Sequence, residues 1–100
     1  MLTKENIIST IELNRIKIKS FGVTKLTLFG SYARDEATVQ SDIDFLVEFK
    51  EGRGLFDDCF DLTQFLNRLF GQKIDIVKTY LIREELKKEI LGGAQIEAKV

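Results

Sequence analysis

Several residue types are missing or scarce in this chain of 100 residues, and each absence excludes a class of chemistry. There is no histidine, which removes every histidine-based metal site and every Ser-His or Cys-His catalytic pair. The single cysteine, Cys59, has no internal partner for a disulfide bond. Any catalytic chemistry must therefore come from Asp, Glu, Lys, Arg, Ser or Tyr side chains.

An excess of charge and long apolar runs are also missing. The formal net charge is −1, from 15 basic and 16 acidic residues, so we expect neither a long nucleic acid nor an anionic membrane as a partner. The polar N-terminus is unlike a signal peptide, and no apolar stretch approaches the roughly 18 residues of a membrane span. The sequence therefore predicts a cytoplasmic protein.

Hydrophobic patterning predicts one small α/β domain over residues 1–100. The predicted elements are a helix from Thr3 to Phe21, a strand from Val23 to Phe29, a short helix that opens at Gly30-Ser31, a strand over 42–49, a helix over Leu55–Phe70, a strand over 73–79 and a helix over Ile82–Leu91. We expect a small mixed β-sheet with helices packed on one face. The last seven residues are expected to be frayed.

Paired aspartates are the first candidate for chemistry. Asp42 and Asp44 flank Ile43 in a strand, so their side chains share one face with Cα atoms about 6.6 Å apart. Repulsion between them would raise the pKa of one carboxyl unless a cation lay between them, and oxygen ligands alone suit Mg²⁺ or Mn²⁺. If the strand Ile74-Asp75-Ile76 pairs alongside, Asp75 joins this face. Three aspartates would then bind two metal ions, a pair able to clamp both reacting oxygens of a phosphoryl displacement.

The turn Gly30-Ser31 is the second candidate, because it lies where a strand changes abruptly to a helix. A glycine allows a phosphate to approach the backbone closely, and free N–H groups at a helix start attract its charge. A triphosphate could therefore be held between this turn and the aspartates. The plainer interpretation of Ser31 is a helix cap.

The charged residues also have plainer interpretations when each is taken alone. Asp42 and Asp44 could form a solvated face that protects a strand edge. Arg34 could pair with Asp35 or Glu36 on the surface. What favours a functional interpretation is the occurrence of all these groups together at a fixed spacing.

That spacing resembles the signature of the DNA polymerase beta-like nucleotidyltransferase superfamily, and within it the minimal nucleotidyltransferase family. The matching segments are Leu28–Arg34, Ser41–Val47 after six residues, and Leu69–Val77. The resemblance implies the nucleotidyltransferase fold and the transfer of a nucleoside monophosphate, usually AMP from ATP, with release of pyrophosphate. Many relatives have a glycine directly after the arginine, where this chain has Asp35.

The resemblance also implies roles for individual residues. The nucleotide-binding residues would be Gly30, Ser31, Arg34 and Ser41. The catalytic and metal-binding residues would be Asp42, Asp44 and Asp75. Asp42 and Asp44 would bind two Mg²⁺ ions, with Mn²⁺ as an alternative, and Asp75 would complete the metal site and help to activate the acceptor hydroxyl.

A chain of this size leaves no room for the second domain with which larger nucleotidyltransferases present the acceptor. The resemblance implies that the acceptor is a tyrosine of a helical HEPN-type toxin, with this chain as the antitoxin in a hetero-oligomer, or as a homodimer when alone. Two other hypotheses stay open. One is a non-catalytic antitoxin that acts by contact, and the other is transfer to a small hydroxyl compound such as an aminoglycoside.

The helix Leu55–Phe70 carries an apolar arc of roughly 220°, wider than the stripe of about 100° that one core requires. Phe56 and Phe60 lie at one edge of this arc. If the rest of the arc faces the sheet, these two rings form an exposed patch of the kind that marks protein contacts. A deeply buried helix is the alternative.

Overall fold

A four-stranded mixed sheet carries the fold in the computed structural model, which describes residues 2–82 and 93–100. The elements are α1 (Lys4–Leu13), α2 (Arg15–Lys19), β1 (Val23–Phe29), α3 (Gly30–Ala33), β2 (Ile43–Phe49), α4 (Phe56–Phe70), β3 (Ile74–Lys78), a 3-10 turn (Thr79–Leu81) and β4 (Ile96–Ala98). The strands lie in the order β3-β2-β1-β4. β2 runs parallel to β3, whereas β1 is antiparallel to both β2 and β4.

Helices cover one face of this sheet, as predicted. Ile7 and Ile11 of α1 and Leu62 and Leu66 of α4 are fully buried. They share one core with the inward side chains of the two central strands, which are Val23, Leu26, Leu28, Ile43, Phe45 and Val47. Because side chains alternate along a strand, this packing sends Asp44 to the opposite face of the sheet.

The first helix differs from the prediction because it is broken at Asn14. Thr3 caps α1 as expected, but Asn14, with ψ of 18°, ends this helix and precedes α2. The Asn14 side-chain amide donates a hydrogen bond of 2.8 Å to the carbonyl oxygen of Thr10. Such a bond from a short polar side chain to the backbone competes with helix propagation, so one predicted helix becomes two.

The C-terminal segment also differs, because the residues expected to be frayed form β4. Ala98 is 1% exposed and pairs with Leu26, and the backbone N–H of Lys99 donates to Glu12 Oε2 at 3.1 Å. An alternation over three residues is too short to indicate a strand in sequence, and its pairing partner is remote. The helix predicted over Ile82–Leu91 lies, from residue 83 on, outside the described residues.

In the part of the chain that the structure describes, no helix has the length and apolarity needed to cross a membrane.

Candidate active site

The Gly30-Ser31 turn forms where β1 ends, and it is built against Asp44. Gly30 has φ of +76°, in the left-handed region that glycine adopts without steric penalty. A Cβ atom at this position would overlap the Asp44 carboxylate. The register of β1 and β2 places Phe29 opposite Asp44, which brings the turn onto this carboxylate. The two halves of the predicted motif therefore meet in space.

Asp42 and Asp44 lie on either side of the fully buried Ile43, as the alternation predicts. Both are half-buried. Asp42 directly precedes β2, and its Oδ2 lies 3.7 Å from the Nζ of Lys73. Parallel pairing of β2 with β3 then places Asp75 opposite Asp44. The sequence predicted that Asp75 would join the face of Asp42 and Asp44 if its strand paired beside β2. The structure shows this pairing.

The main electrostatic effect at the site is on the pKa of the Asp44 carboxyl. Its pKa is raised from an ordinary 3.8 to about 6, chiefly by burial and secondarily by the negative charges of Asp75 and Asp42. The positive charge of Arg34 acts in the opposite sense. A partly buried carboxyl among like charges is the arrangement that a bound cation relieves. The aspartate face is therefore a favourable environment for positive charge.

The donor set suits a hard divalent cation, but the site is open. The three aspartates supply oxygen ligands alone, which Mg²⁺ and Mn²⁺ prefer. Within residues 2–82 and 93–100, no three His, Cys, Asp or Glu side chains gather into a ready-made metal site. Mg²⁺ retains several waters and takes further ligands from substrate phosphates. The geometry therefore fits a cation that binds together with a nucleotide.

The predicted nucleotide-binding side chains differ in the contacts that they make within the protein. Ser31 does not cap α3: the N-cap position is Phe29 and no side-chain cap bond forms there. Ser41 has a structural contact, since its hydroxyl accepts a hydrogen bond of 2.8 Å from the backbone N–H of Thr38. Arg34 pairs with Glu36 at 3.1 Å, which is one of the two plainer pairings considered above. Arg34 nevertheless acts electrostatically on the aspartate face.

Asp35, which follows Arg34 in the turn, has a backbone conformation that usually favours glycine. Its φ is +59°, the only positive value among the described residues other than glycine. Aspartate tolerates this conformation better than most residues. The Asp35 carboxylate forms an ion pair with Lys4 at 2.8 Å. This side chain is therefore engaged with α1, and the turn keeps a glycine-like backbone.

One contact at the site, made by Tyr32, was not predicted from the sequence. Tyr32 is buried, and its hydroxyl donates a hydrogen bond of 2.6 Å to Gln72 Oε1. This bond joins α3 to the segment that leads into β3. Tyr32 thus helps to hold the glycine turn and Asp75 in register. The available signal was that a buried tyrosine hydroxyl usually finds a hydrogen-bond partner.

The aromatic patch predicted on α4 is present. Phe56 is 78% exposed and Phe60 is 50% exposed, and their rings stack with centroids 5.9 Å apart. The neighbouring Leu55 is also exposed. The alternative of a deeply buried helix is therefore wrong for the first turns of α4.

Comparison with known proteins shows that the chain is similar to nucleotidyltransferases. A family model for nucleotidyltransferase domains matches residues 11–97. The chain is 35% identical over 92 residues to the protein adenylyltransferase MntA of Thermococcus cleftensis, and the match covers 91% of this chain and 92% of that protein. It is 39% identical over 90 residues to a candidate protein adenylyltransferase of Methanocaldococcus jannaschii, covering 84% of this chain and 96% of the relative.

Solved structures share the fold. A candidate minimal nucleotidyltransferase superposes with a TM-score of 0.68 at 35% identity, over 87% of this chain and 92% of that one. A chain from the crystal structure of a toxin-antitoxin with AMP-PNP superposes with a TM-score of 0.67 at 21% identity, over 87% of this chain and 71% of that one. At this identity the second likeness concerns the fold alone.

Proposed function

The chain belongs to the nucleotidyltransferase domain family, and we propose that it transfers AMP from ATP to a hydroxyl group of a partner protein. The observation that carries the proposal is the meeting of the Gly30-Ser31 turn with Asp44, beside Asp42 and Asp75. The names of its relatives as protein adenylyltransferases support AMP as the transferred group and a protein as the acceptor.

In this reaction the acceptor oxygen attacks the α-phosphorus of ATP. A new P–O bond forms, and the bond from the α-phosphorus to the oxygen that bridges the α- and β-phosphates breaks. The bridging oxygen leaves with the bonding electrons as part of pyrophosphate. The acceptor proton passes to the carboxylate of Asp75, which is the most exposed of the three aspartates and is open to an incoming hydroxyl.

The other residues bind and orient the nucleotide. Gly30 and Ser31 would receive the triphosphate, because the glycine leaves room beside the backbone and the Ser31 hydroxyl is not used as a helix cap. Arg34 and Ser41 would contribute at the rim of the same site. Asp42 and Asp44 would hold Mg²⁺, with Asp75 completing the set. When bound, the cations would neutralise charge that develops on the phosphate oxygens.

We further propose that residues 1–100 act as a single domain and that the acceptor is a tyrosine of a HEPN-type toxin, which makes this chain the antitoxin. Occurrence of the same fold in a toxin-antitoxin structure with AMP-PNP supports this assignment. The exposed Phe56 and Phe60 rings offer a surface for a hetero-oligomer. Use of ATP as the donor favours the cytoplasm as the site of the reaction.

The test is incubation with ATP labelled on its α-phosphate, Mg²⁺ and the product of the neighbouring gene. We expect Asp44→Asn to lower transfer by at least about 100-fold, a loss typical of removing an electrostatic group at a reacting phosphate or carbonyl. Asp61→Asn is the matched control, because Asp61 is an exposed carboxylate of α4. Equal labelling by Asp44→Asn and the wild type would show that the site is assigned wrongly.

A non-catalytic antitoxin is the second candidate, and the exposed Phe56-Phe60 pair is the observation that favours it. The double variant Asp42→Asn, Asp44→Asn separates the two functions. Neutralisation of the toxin by this variant would support action by contact, whereas its loss in a folded variant would support catalysis. Label found on an aminoglycoside instead of on the protein would point to the small-molecule reaction.

A further inference from the structure

β3 has a free edge among the described residues, because it pairs only with β2. The N–H of Ile43 donates to the carbonyl oxygen of Lys73 at 3.0 Å. Backbone groups alternate between the two sides of a strand, so the backbone N–H and C=O groups of Asp75 point toward β2. Those of Ile74 and Ile76 point away from it. The free edge therefore offers N–H and C=O groups from the two residues that flank Asp75.

A groove of about 450 Å³ runs along this edge, between β3 and α4. Cys59 and Thr63 line it from α4, Leu81 lines it from the 3-10 turn, and every residue of β3 lines it along the edge, including the charged Asp75 and Lys78. Ile74 is part of the core that lies under the helices, whereas Asp75 lies on the opposite face with Asp44. The edge thus places the Asp75 carboxylate on the face shared with Asp44, and the side chains of Ile74 and Ile76 on the face beside α4.

We propose that this edge binds an extended segment of the acceptor protein as an added strand, with the target hydroxyl residue opposite Asp75. The inference rests on the proposed function and specifies how the acceptor is recognised. Strand addition uses backbone hydrogen bonds for affinity and alternate side-chain pockets for specificity. A residue directly opposite Asp75 shares its face, with Cβ atoms about 5 Å apart in such pairs.

The same geometry defines the chemistry of the segment. Its residues on either side of the hydroxyl residue lie opposite Ile74 and Ile76, so their side chains enter the groove and should be apolar. The residue opposite Asp75 should carry no negative charge. A second copy of this chain, paired antiparallel about Asp75, would place the two Asp75 carboxylates opposite each other. Charge therefore favours a partner's strand over a second copy as the occupant.

A backbone probe tests docking without relying on activity. The ligand is the synthetic peptide Thr-Val-Tyr-Val-Thr within a soluble flank, and its control has the same sequence with both valine nitrogens methylated. The first peptide should slow amide hydrogen exchange at Ile74 and Ile76 by about tenfold or more. The exchange rate at Val77, whose backbone N–H points toward β2, should not change. The methylated peptide should have no such effect. Equal exchange with and without the first peptide would overturn the proposal.

Filling the groove provides the second readout. Alkylation of Cys59, the only cysteine, with a bulky maleimide should reduce AMP transfer to the unmethylated peptide by about tenfold or more, while AMP-PNP binding is retained. Cys59→Ser treated with the same reagent should transfer as before. Undiminished transfer by the alkylated chain would contradict docking in this groove.

Failure of docking and failure of the proposed function have different signatures. If the partner protein is labelled with AMP while Ile74 and Ile76 stay unprotected and alkylation has no effect, the function stands and edge docking is wrong. If Ile74 and Ile76 are protected while no acceptor is ever labelled, the docking surface stands and the transfer reaction is wrong.

Discussion

Substitution of Asp44 by asparagine should stabilise the ligand-free protein at neutral pH. The folded state raises the pKa of this carboxyl from 3.8 to about 6, chiefly through burial and secondarily through Asp75 and Asp42. A raised carboxyl pKa means that the folded chain holds the proton more tightly than the unfolded chain. Ionisation therefore destabilises the fold, and wild-type stability falls as the pH rises from 3.8 through 6.

The expected gain in the free energy of unfolding follows from the pKa shift of Asp44. A difference of about 2 pKa units, at 1.36 kcal/mol for each, sets an upper limit of roughly 3 kcal/mol. Asp44 is only half-buried and reaches solvent, so screening reduces the expected gain to about 1–2 kcal/mol. Asparagine has nearly the same shape, which keeps the contact with Gly30 but removes the charge.

Urea unfolding of the wild type and Asp44→Asn at several pH values measures this difference. The variant should be more stable at pH 7.5, and the difference should shrink to a few tenths of a kcal/mol near pH 3.5, which lies below both pKa values of Asp44. Effects of other groups, such as Asp58 with its pKa lowered to about 2 by Arg53, are common to both proteins. Asp61→Asn serves again as the control and should show no gain.

Two results would refute this reasoning. One is a variant no more stable than the wild type at pH 7.5, which would mean that the Asp44 charge is not penalised in the fold. The other is a gain that is equal at all pH values, which would indicate a packing effect unrelated to ionisation.

Three further predictions concern the turn, the loop that follows it and the cation. Gly30→Ala should cost about 1–3 kcal/mol through its left-handed backbone and its overlap with Asp44, and adding Asp44→Ala should restore part of the loss in urea unfolding. Asp35→Gly should unfold at nearly the wild-type temperature, because relief of φ strain offsets the lost pair with Lys4, whereas Asp35→Val should lower the melting temperature. Calorimetry should show weak Mg²⁺ binding without nucleotide and stronger binding with AMP-PNP, and tight binding of Mg²⁺ alone would contradict the open site.

Local patterning was enough to predict much of the site. Alternation around Ile43 placed Asp42 and Asp44 on one face, and the abrupt change from strand to helix located Gly30. Both features depend on backbone periods of a few residues. The side-by-side position of Asp44 and Asp75 was predicted only conditionally, since it requires a specific pairing between two strands separated by a helix.

Other features could not be predicted because they depend on distant parts of the chain. Nothing near Gly30 indicates that Asp44 is the group against which its backbone lies. The left-handed backbone of Asp35 is stabilised by a partner, Lys4, in the first helix. The bond between Tyr32 and Gln72 likewise joins residues from separate elements. In each case local sequence specifies a permitted conformation, and tertiary pairing selects it.

The pairing of β4 with β1 has a consequence for the order in which the protein is assembled. Leu26 pairs with Ala98, 72 positions later, whereas its pairing with Val47 on the other side spans 21. Closing the longer loop carries a larger entropic cost, so contacts of this range form late and slow the folding of a domain. During synthesis, the β1–β2 pair that carries Gly30 and Asp44 can form while the last strand is still being made. The Gly30-Ser31 turn is therefore expected to form early, and the pairing of β4 with β1 is the late step of folding.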